Sequence, residues 1–320
     1  MATSGSTDFT LNRDQIITSA LRKLRKVDPN LTTPAIDITS GTETLNMMIK
    51  SWQIDKLFLW LNEEVCLFQQ YNTQFYAVGP SGDNCGLLVD SFKTQIATAA
   101  ASAASTITVD DDDDMTDGDY IGIELDGGTI QWTTINGTPA SNVVTLTAAL
   151  TGAVAVDRWV FTYTTKISRP LQITEARVRD TDDVDSPLTI VKSRTQFLAQ
   201  TDKTSKGRVL EIHYNPDITN GQLYVWPVCG TGDITDRIIM SVQRVIEDFD
   251  ASANNFDGPP EALAALVWNL AVWLAPEYGV DLTTGKGTSV TAMAGITYDN
   301  LKKFYRSYDP VYVSTVSVRP

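Results

Sequence analysis

The stretch from Gly258 to Gly279, GPPEALAALVWNLAVWLAPEYG, constrains this chain more than any other. Pro259 and Pro260 have a fixed φ that suits a first helical turn, and Leu263, Leu266, Val267, Leu270, Val272, Trp273 and Leu274 follow at mostly helical spacing. A helix that is apolar nearly all round either spans a membrane or lies inside protein. The run from Ala262 to Ala275 falls short of the roughly 20 residues that a span requires. The spacing therefore predicts a core helix, and other elements must be layered around it.

The chain start supplies two of them. From Asn12 to Val27, Ile16, Ile17, Ala20, Leu21 and Leu24 share one helical face, with Arg22, Lys23, Arg25 and Lys26 on the wet side and Asp28-Pro29 as the stop. A second helix is expected after Ser40, where Ser40 and Glu43 have capping-box spacing ahead of Leu45, Met48, Ile49 and Trp52. Near the other end, GVDLTTGKGTS predicts a loop. A last helix from about Val290 to Arg306 is expected to bury Met293, Ile296, Leu301 and Phe304. Past Pro310 the helix cannot continue, so the remainder should be extended.

Between these ends the period changes from helical to alternating. Trp60 to Phe68 and Gln74 to Val78 are rich in aromatic and β-branched residues and should pair as strands. Further strands are expected at Leu171 to Val178, Leu188 to Val191, Leu210 to Tyr214, Leu223 to Pro227 and Ile238 to Val245. Residues 91–165 have a different texture. The small-residue run ATAAASAAS leads into TITV, DYIGIEL, TIQWTTI, NVVTLT and DRWVFTYT, short strands at regular spacing with a hairpin signal at Asp126-Gly127-Gly128.

The fold class that follows is α+β. A helical bundle is built from both chain ends (residues 1–56 and 258–306), and a mainly antiparallel β body comes from 57–90 and 166–257. An acidic small barrel or sandwich is inserted at 91–165, as an autonomous module, and an extended tail occupies 307–320.

Charge and cysteine usage narrow the function classes. The net charge of −14 disfavours tight nucleic-acid binding, because phosphate contacts need clustered Lys and Arg. Between Ser105 and Tyr163 the chain carries ten acids against the single base Arg158, so that segment alone accounts for −9 of that charge. Cys66, Cys85 and Cys229 lack CxxC spacing, which argues against a disulfide framework or a zinc site and for a reducing compartment. They read as ordinary buried or half-buried residues. The first ten residues have neither the basic start nor the apolar run of a signal peptide, and no segment is long enough to span a bilayer, so the chain reads as soluble.

No catalytic constellation emerges, and neither a cofactor nor a metal is expected. Asp113, Asp117, Gly118 and Glu124 match four positions of a calcium loop, but Met115 stands at the third and the flanks read as strands rather than helices. TTGKGTS lacks the first glycine of a phosphate loop, Val280 standing in its place, and Gly287 follows Lys286 where Ser or Thr must hold magnesium. His213 is the only histidine, so one chain can assemble no triad or multi-histidine site; in the alternating LEIHY it reads as structural. The cluster Arg22 to Lys26 reads as the solvated face of its helix.

The helix pair, then WLNEEVCLFQQYNTQFYAVGP, SRPLQITEARVRD, LYVWPV and GPPEALAALVWNLAVWLAPEYG, together resemble the head-to-tail adaptor proteins of short-tailed bacteriophages, including the tail tubular A type. The likeness covers roughly residues 9–80 and 166–306, and the insert lies outside it. It implies a structural virion protein, not an enzyme: a ring of twelve subunits at the portal vertex or tail neck, assembled in the host cytoplasm. Its partners would be the portal protein and the next tail component, a nozzle or tail tube. Double-stranded DNA would pass through without specific binding, and no membrane is involved. By position, the resemblance assigns portal docking to the last helix and tail: Asn300, Phe304, Tyr305, Tyr308, Val311, Tyr312, Val313, Val316 and Val318. The residues leave a second class open, a phage tail or surface-binding protein whose β insert recognises a carbohydrate or host structure.

Overall fold

The computed structural model describes residues 5, 9–54 and 59–304, and the chain divides into two compact units, Met1–Trp60 with Ile246–Pro320 and Leu61–Val245. The class is α+β with mainly antiparallel sheets.

In the first unit, α1 (Arg13–Lys23) opens with a capping box: the Asn12 side chain accepts from the Gln15 amide at 2.9 Å, and the Gln15 side chain accepts from the Asn12 amide at 3.1 Å. The helix ends earlier than its apolar spacing suggests, because Arg25 adopts a left-handed φ of 60°. Leu24 and Val27 are still buried, beyond the last turn. The second helix, α2 (Ala35–Ile54), starts five residues before the expected cap. Pro34 supplies the entry, its carbonyl accepting from the Ile38 amide at 3.2 Å, and Ser40 sits inside the helix with its hydroxyl donating to Glu277. The hydroxyls of Thr39 and Thr42 donate back to the carbonyls of Ala35 and Ile38, which lets these poor helix formers lie mid-helix.

The second unit holds three sheets. Its first strands are β1 (Asn62–Phe68), β2 (Phe75–Val78) and β3 (Cys85–Leu87). The insert follows as β4 (Phe92–Thr98), β5 (Thr106–Val109), β6 (Tyr120–Glu124), β7 (Ile130–Thr134), β8 (Val143–Thr145) and β9 (Trp159–Tyr163). The chain then returns through β10 (Gln172–Arg179), β11 (Asp185–Pro187), β12 (Thr189–Ile190), α3 (Arg194–Leu198), β13 (Glu211–Asn215), β14 (Gly221–Trp226) and β15 (Arg237–Gln243).

One sheet runs β11-β10-β15-β1-β3 and another β12-β13-β14-β2. Strands β1 and β2 therefore do not pair with each other as expected. All seven residues of β1 pair with β15, while β2 pairs with β14. The physical reason is burial on both sides: Val65 and Leu67 enter a core shared with Tyr76, Val78, Leu223 and Met240, whereas Cys66 and Phe68 face a second cluster. A strand covered on both faces is at home within a sheet, and β1 lies between β15 and β3.

The insert forms the third sheet, β7-β6-β9-β4-β5-β8. Its outer strands meet at one end, where Asn136 donates to Thr145 and Thr147 donates to Thr134, each at 2.9 Å, so the sheet curls on itself around Ile96, Ile107, Ile121, Ile123, Val144 and Val160. The turn at Asp126 to Gly128 does join β6 to β7, with Gly128 at φ 75°.

The insert also shares a core with the strands outside it. Phe68 lies 5.0 Å from Trp132, 5.6 Å from Phe161 and 5.6 Å from Tyr163, ring centre to ring centre. Gly86 permits that approach, since a Cβ there would come within 2.6 Å of the Tyr163 ring. The Lys93 ammonium on β4 donates to Asp183 at 2.6 Å and to the Thr181 carbonyl at 2.7 Å.

The chain re-enters the first unit at Ile246 and then forms a short 3-10 helix, Pro260–Ala262, and α4 (Leu263–Leu274). Leu263, Ala265, Leu266, Val267, Leu270, Ala271 and Leu274 are buried because α4 packs against α1, α2 and the last helix together, but of the expected core residues Val272 is half-buried and Trp273 43% exposed, so the helix keeps one open side. That helix, α5 (Gly285–Phe304), starts within the expected loop. Asp281 makes the early start possible: its carboxylate accepts from the Thr283 amide and from the Thr283 and Thr284 hydroxyls at 2.6 to 2.8 Å. These bonds hold its pKa down to about 2.

Candidate interaction surface

The residues assigned to portal docking fall at and beyond the end of α5. Asn300 is exposed on that helix and, with Thr297 and Leu301, faces Glu261, Ala264 and Ala265 across a groove of about 240 Å³ between α5 and the start of α4. Phe304 is the last residue of α5. Tyr305, Tyr308, Val311, Tyr312, Val313, Val316 and Val318 lie outside the described residues. The α4 side of the groove, Glu261, Ala264 and Ala265, escaped the sequence reading, although a small residue repeated beside an exposed acid could have flagged it.

The inner face of α5 differs from the expected one. Gly287, Val290, Ala294 and Leu301 are buried, while Met293 is 38% exposed and Ile296 54% exposed. The reason is size: Asn269 on α4 donates to the Ala294 carbonyl at 3.3 Å, an approach that small residues permit and a Met or Ile seam would prevent. Spacing alone could not choose between two possible faces of the same helix.

The other candidates have structural roles. Glu124 of the calcium-like loop accepts from Arg158 at 2.6 Å and from the Trp159 amide at 3.1 Å, so it is committed elsewhere. Asp117 accepts from the Gly137 amide at 2.7 Å, and Met115 is buried. Among the described residues, no three His, Cys, Asp or Glu side chains are grouped so as to hold a metal ion.

His213 is buried between Phe197 and Tyr224, its Nδ1 2.7 Å from the Val191 carbonyl. All three cysteines are free and buried, and burial pushes the thiols of Cys66 and Cys229 up to about 12, far from a reactive thiolate. In the basic cluster, Lys23 sits over the Trp268 ring at 4.7 Å and Arg22 donates to the Pro29 carbonyl at 3.2 Å. These two cations thus make contacts within the helical unit, while Arg25 and Lys26 are exposed.

An ionic network lies at the rim of the β10–β15 pair. Asp183 accepts from Lys93 and from Arg237 at 2.9 Å, and the Lys93 bond first of all keeps its carboxyl below the usual range. Asp185 is likewise held low, by Arg179 first. Asp236 differs. Burial pushes it up to about 6 against the pull of Arg208, whose Nε lies 3.2 Å away, with Asp233 and Asp180 adding to the rise.

No family model matches this chain. None of the curated proteins matches it either. Among solved structures, VP17, a capsid protein of bacteriophage P23-77, is similar at 13% identity over 59% of this chain and 76% of that one, with a TM-score of 0.12. Among the described residues, no helix is long and apolar enough to cross a membrane.

Proposed function

We propose that this chain is a structural virion protein, a head-to-tail adaptor whose copies form a ring between the portal vertex and the tail of a short-tailed bacteriophage. One observation carries the reading: the phrases that resemble the adaptor family keep the family's order. Here they fall on α1 with α2, on β1 with β2, on β10, on β14 and on α4. The negative charge of the chain suits a conduit, since duplex DNA carries one negative charge per about 1.7 Å and a basic wall would hold it. In this reading the residues named for portal docking work as binding groups, and no step of chemistry is assigned to any side chain.

The test is assembly with a portal ring. Imaged together by negative stain, the two proteins should form a coaxial double ring, and truncation after Asp309 should leave the subunit folded while weakening co-sedimentation with portal at least tenfold. Equal capture of the truncated chain would remove the tail from the docking site, and absence of any ring with portal would end the adaptor reading.

A further inference from the structure

The outer faces of α2 and α5, both in the helical unit, do not look like ordinary solvated faces. On α2, Ile36, Ser40, Glu43, Met47, Lys50 and Ile54 recur at alternating steps of four and three, the spacing of a helix-pairing seam. They lie opposite the buried line through Gly41, Leu45, Met48 and Trp52, and Ile36 is 77%, Met47 57% and Ile54 80% exposed. On α5, Gly285, Ser289, Ala292, Ile296, Asp299 and Lys303 recur at the same steps, all exposed, and no charged residue occurs between Gly287 and Tyr298. A helix face that met only water would carry charge along its length.

Gly295 adds an independent observation. The other two glycines inside these helices have reasons within the chain: a Cβ at Gly41 would come within 2.5 Å of Ile17, and one at Gly287 within 1.9 Å of the Asp281 carbonyl. A Cβ at Gly295 would meet nothing within 4 Å. A mid-helix glycine is less favourable than alanine because it loses more backbone freedom on folding, and here nothing inside the described chain accounts for it.

We propose that the outer face of α5 docks against the outer face of α2 on a second copy of this chain. The two faces complement each other in shape and charge: α2 offers bulky Ile36, Met47 and Ile54, while α5 offers the small Gly285, Ser289, Ala292 and Gly295. With the helices parallel and Met47 beside Ile296, Lys50 comes beside Asp299, opposite in sign, although Lys50 also meets Asp248 at 2.7 Å within its own chain. Because the faces differ, the contact is heterologous and propagates from copy to copy until it closes. A pair of 20-residue helix faces about 30 Å long covers on the order of 1,000 Å², the low end for a specific interface, so each contact is weak alone and gains from repetition. The inference deepens the ring reading by naming the surfaces that meet, and its test needs no portal.

The test is disulfide trapping with the full chain, whose three native thiols are buried. Met47→Cys and Ile296→Cys are made in separate chains, each at an exposed position, with unchanged thermal unfolding as the control for folding. Oxidised together at high concentration, they should give a cross-linked heterodimer in at least tenfold excess over the product of either variant alone. A chain carrying both changes should give a ladder of multimers. Gly295→Ala added to that chain should cut the ladder several-fold without lowering its melting temperature. Absence of a cross-link in the mixture overturns the proposal, as does equal cross-linking of each variant with itself. Loss of portal binding with the ladder intact would instead fall on the adaptor reading.

Discussion

The helical unit and the inserted barrel treat water in opposite ways. Within β4 to β9 and their loops only Val143 and Val156 are large hydrophobic residues with substantial exposure, and the surface is dominated by Asp110 to Asp114 and their acidic neighbours. The helical unit leaves Phe9, Leu31, Ile36, Met47, Ile54, Trp273, Met293 and Ile296 exposed. A curled sheet satisfies its own strands and buries its inward residues, so its outside can be charged. Helices hydrogen-bond internally too, but a four-helix unit with one nearly all-apolar member spends its best faces covering α4, and what is left outside on α2 and α5 is still apolar. The difference leaves the helical unit with more exposed apolar surface than the barrel.

The barrel's independence is the first point at which this contrast can break. Replacing residues 92–163 by a short Gly/Ser linker uncovers Phe68, Cys66 and Ile239, which share a buried cluster with Phe161 and Tyr163. Soluble protein should be lost, and should return when Phe68 and Ile239 are also made polar; a soluble deletion without those changes would show the barrel to be autonomous. Next in size, Phe68→Ala should cost about 3–5 kcal/mol in denaturant unfolding, because it empties the centre of a four-ring cluster. A cost below about 1 kcal/mol would mean that the rings close over the gap.

A smaller effect comes from the acids. Asp236 titrates near 6 because burial penalises its charge, so the folded chain holds that proton more tightly than the unfolded chain. Stability should therefore rise as pH falls from 7 toward 5, by about 1 kcal/mol, and Asp236→Asn should remove that rise. Asp183 and Asp185 act in the other direction. Their pKa values are lowered from the ordinary 3.8, so their contribution is present above it and is lost as the solution is acidified through it. Thermal unfolding across pH 3 to 7 should show a maximum near pH 5, and a profile unchanged by Asp236→Asn would remove that residue from the account. The smallest effect is expected at Ile296→Ser on the outer face of α5: less than about 0.5 kcal/mol in the isolated subunit, since the side chain is already 54% exposed. A larger loss would show that the side chain is covered within the chain.

What the sequence by itself determined is what depends on neighbours a few residues apart. The core helix at α4, the strands TITV and DYIGIEL, the hairpin turn at Asp126 to Gly128 and the structural place of His213 could all be read from period, turn chemistry and residue type. The start of α2 at Pro34 was present in the sequence too, but the capping-box spacing at Ser40 outcompeted it. Three matters were decided only by tertiary structure. Strands β1 and β2, adjacent in sequence, separate into two sheets because β1 is buried on both faces and needs the full length of β15. The face that α5 buries is chosen by the close approach of α4, which admits Ala294 and excludes Met293 and Ile296. Asn300 gains its groove from Glu261, Ala264 and Ala265, residues on a helix some forty positions earlier. Each depends on which surface arrives from far along the chain, and local periodicity carries no record of that.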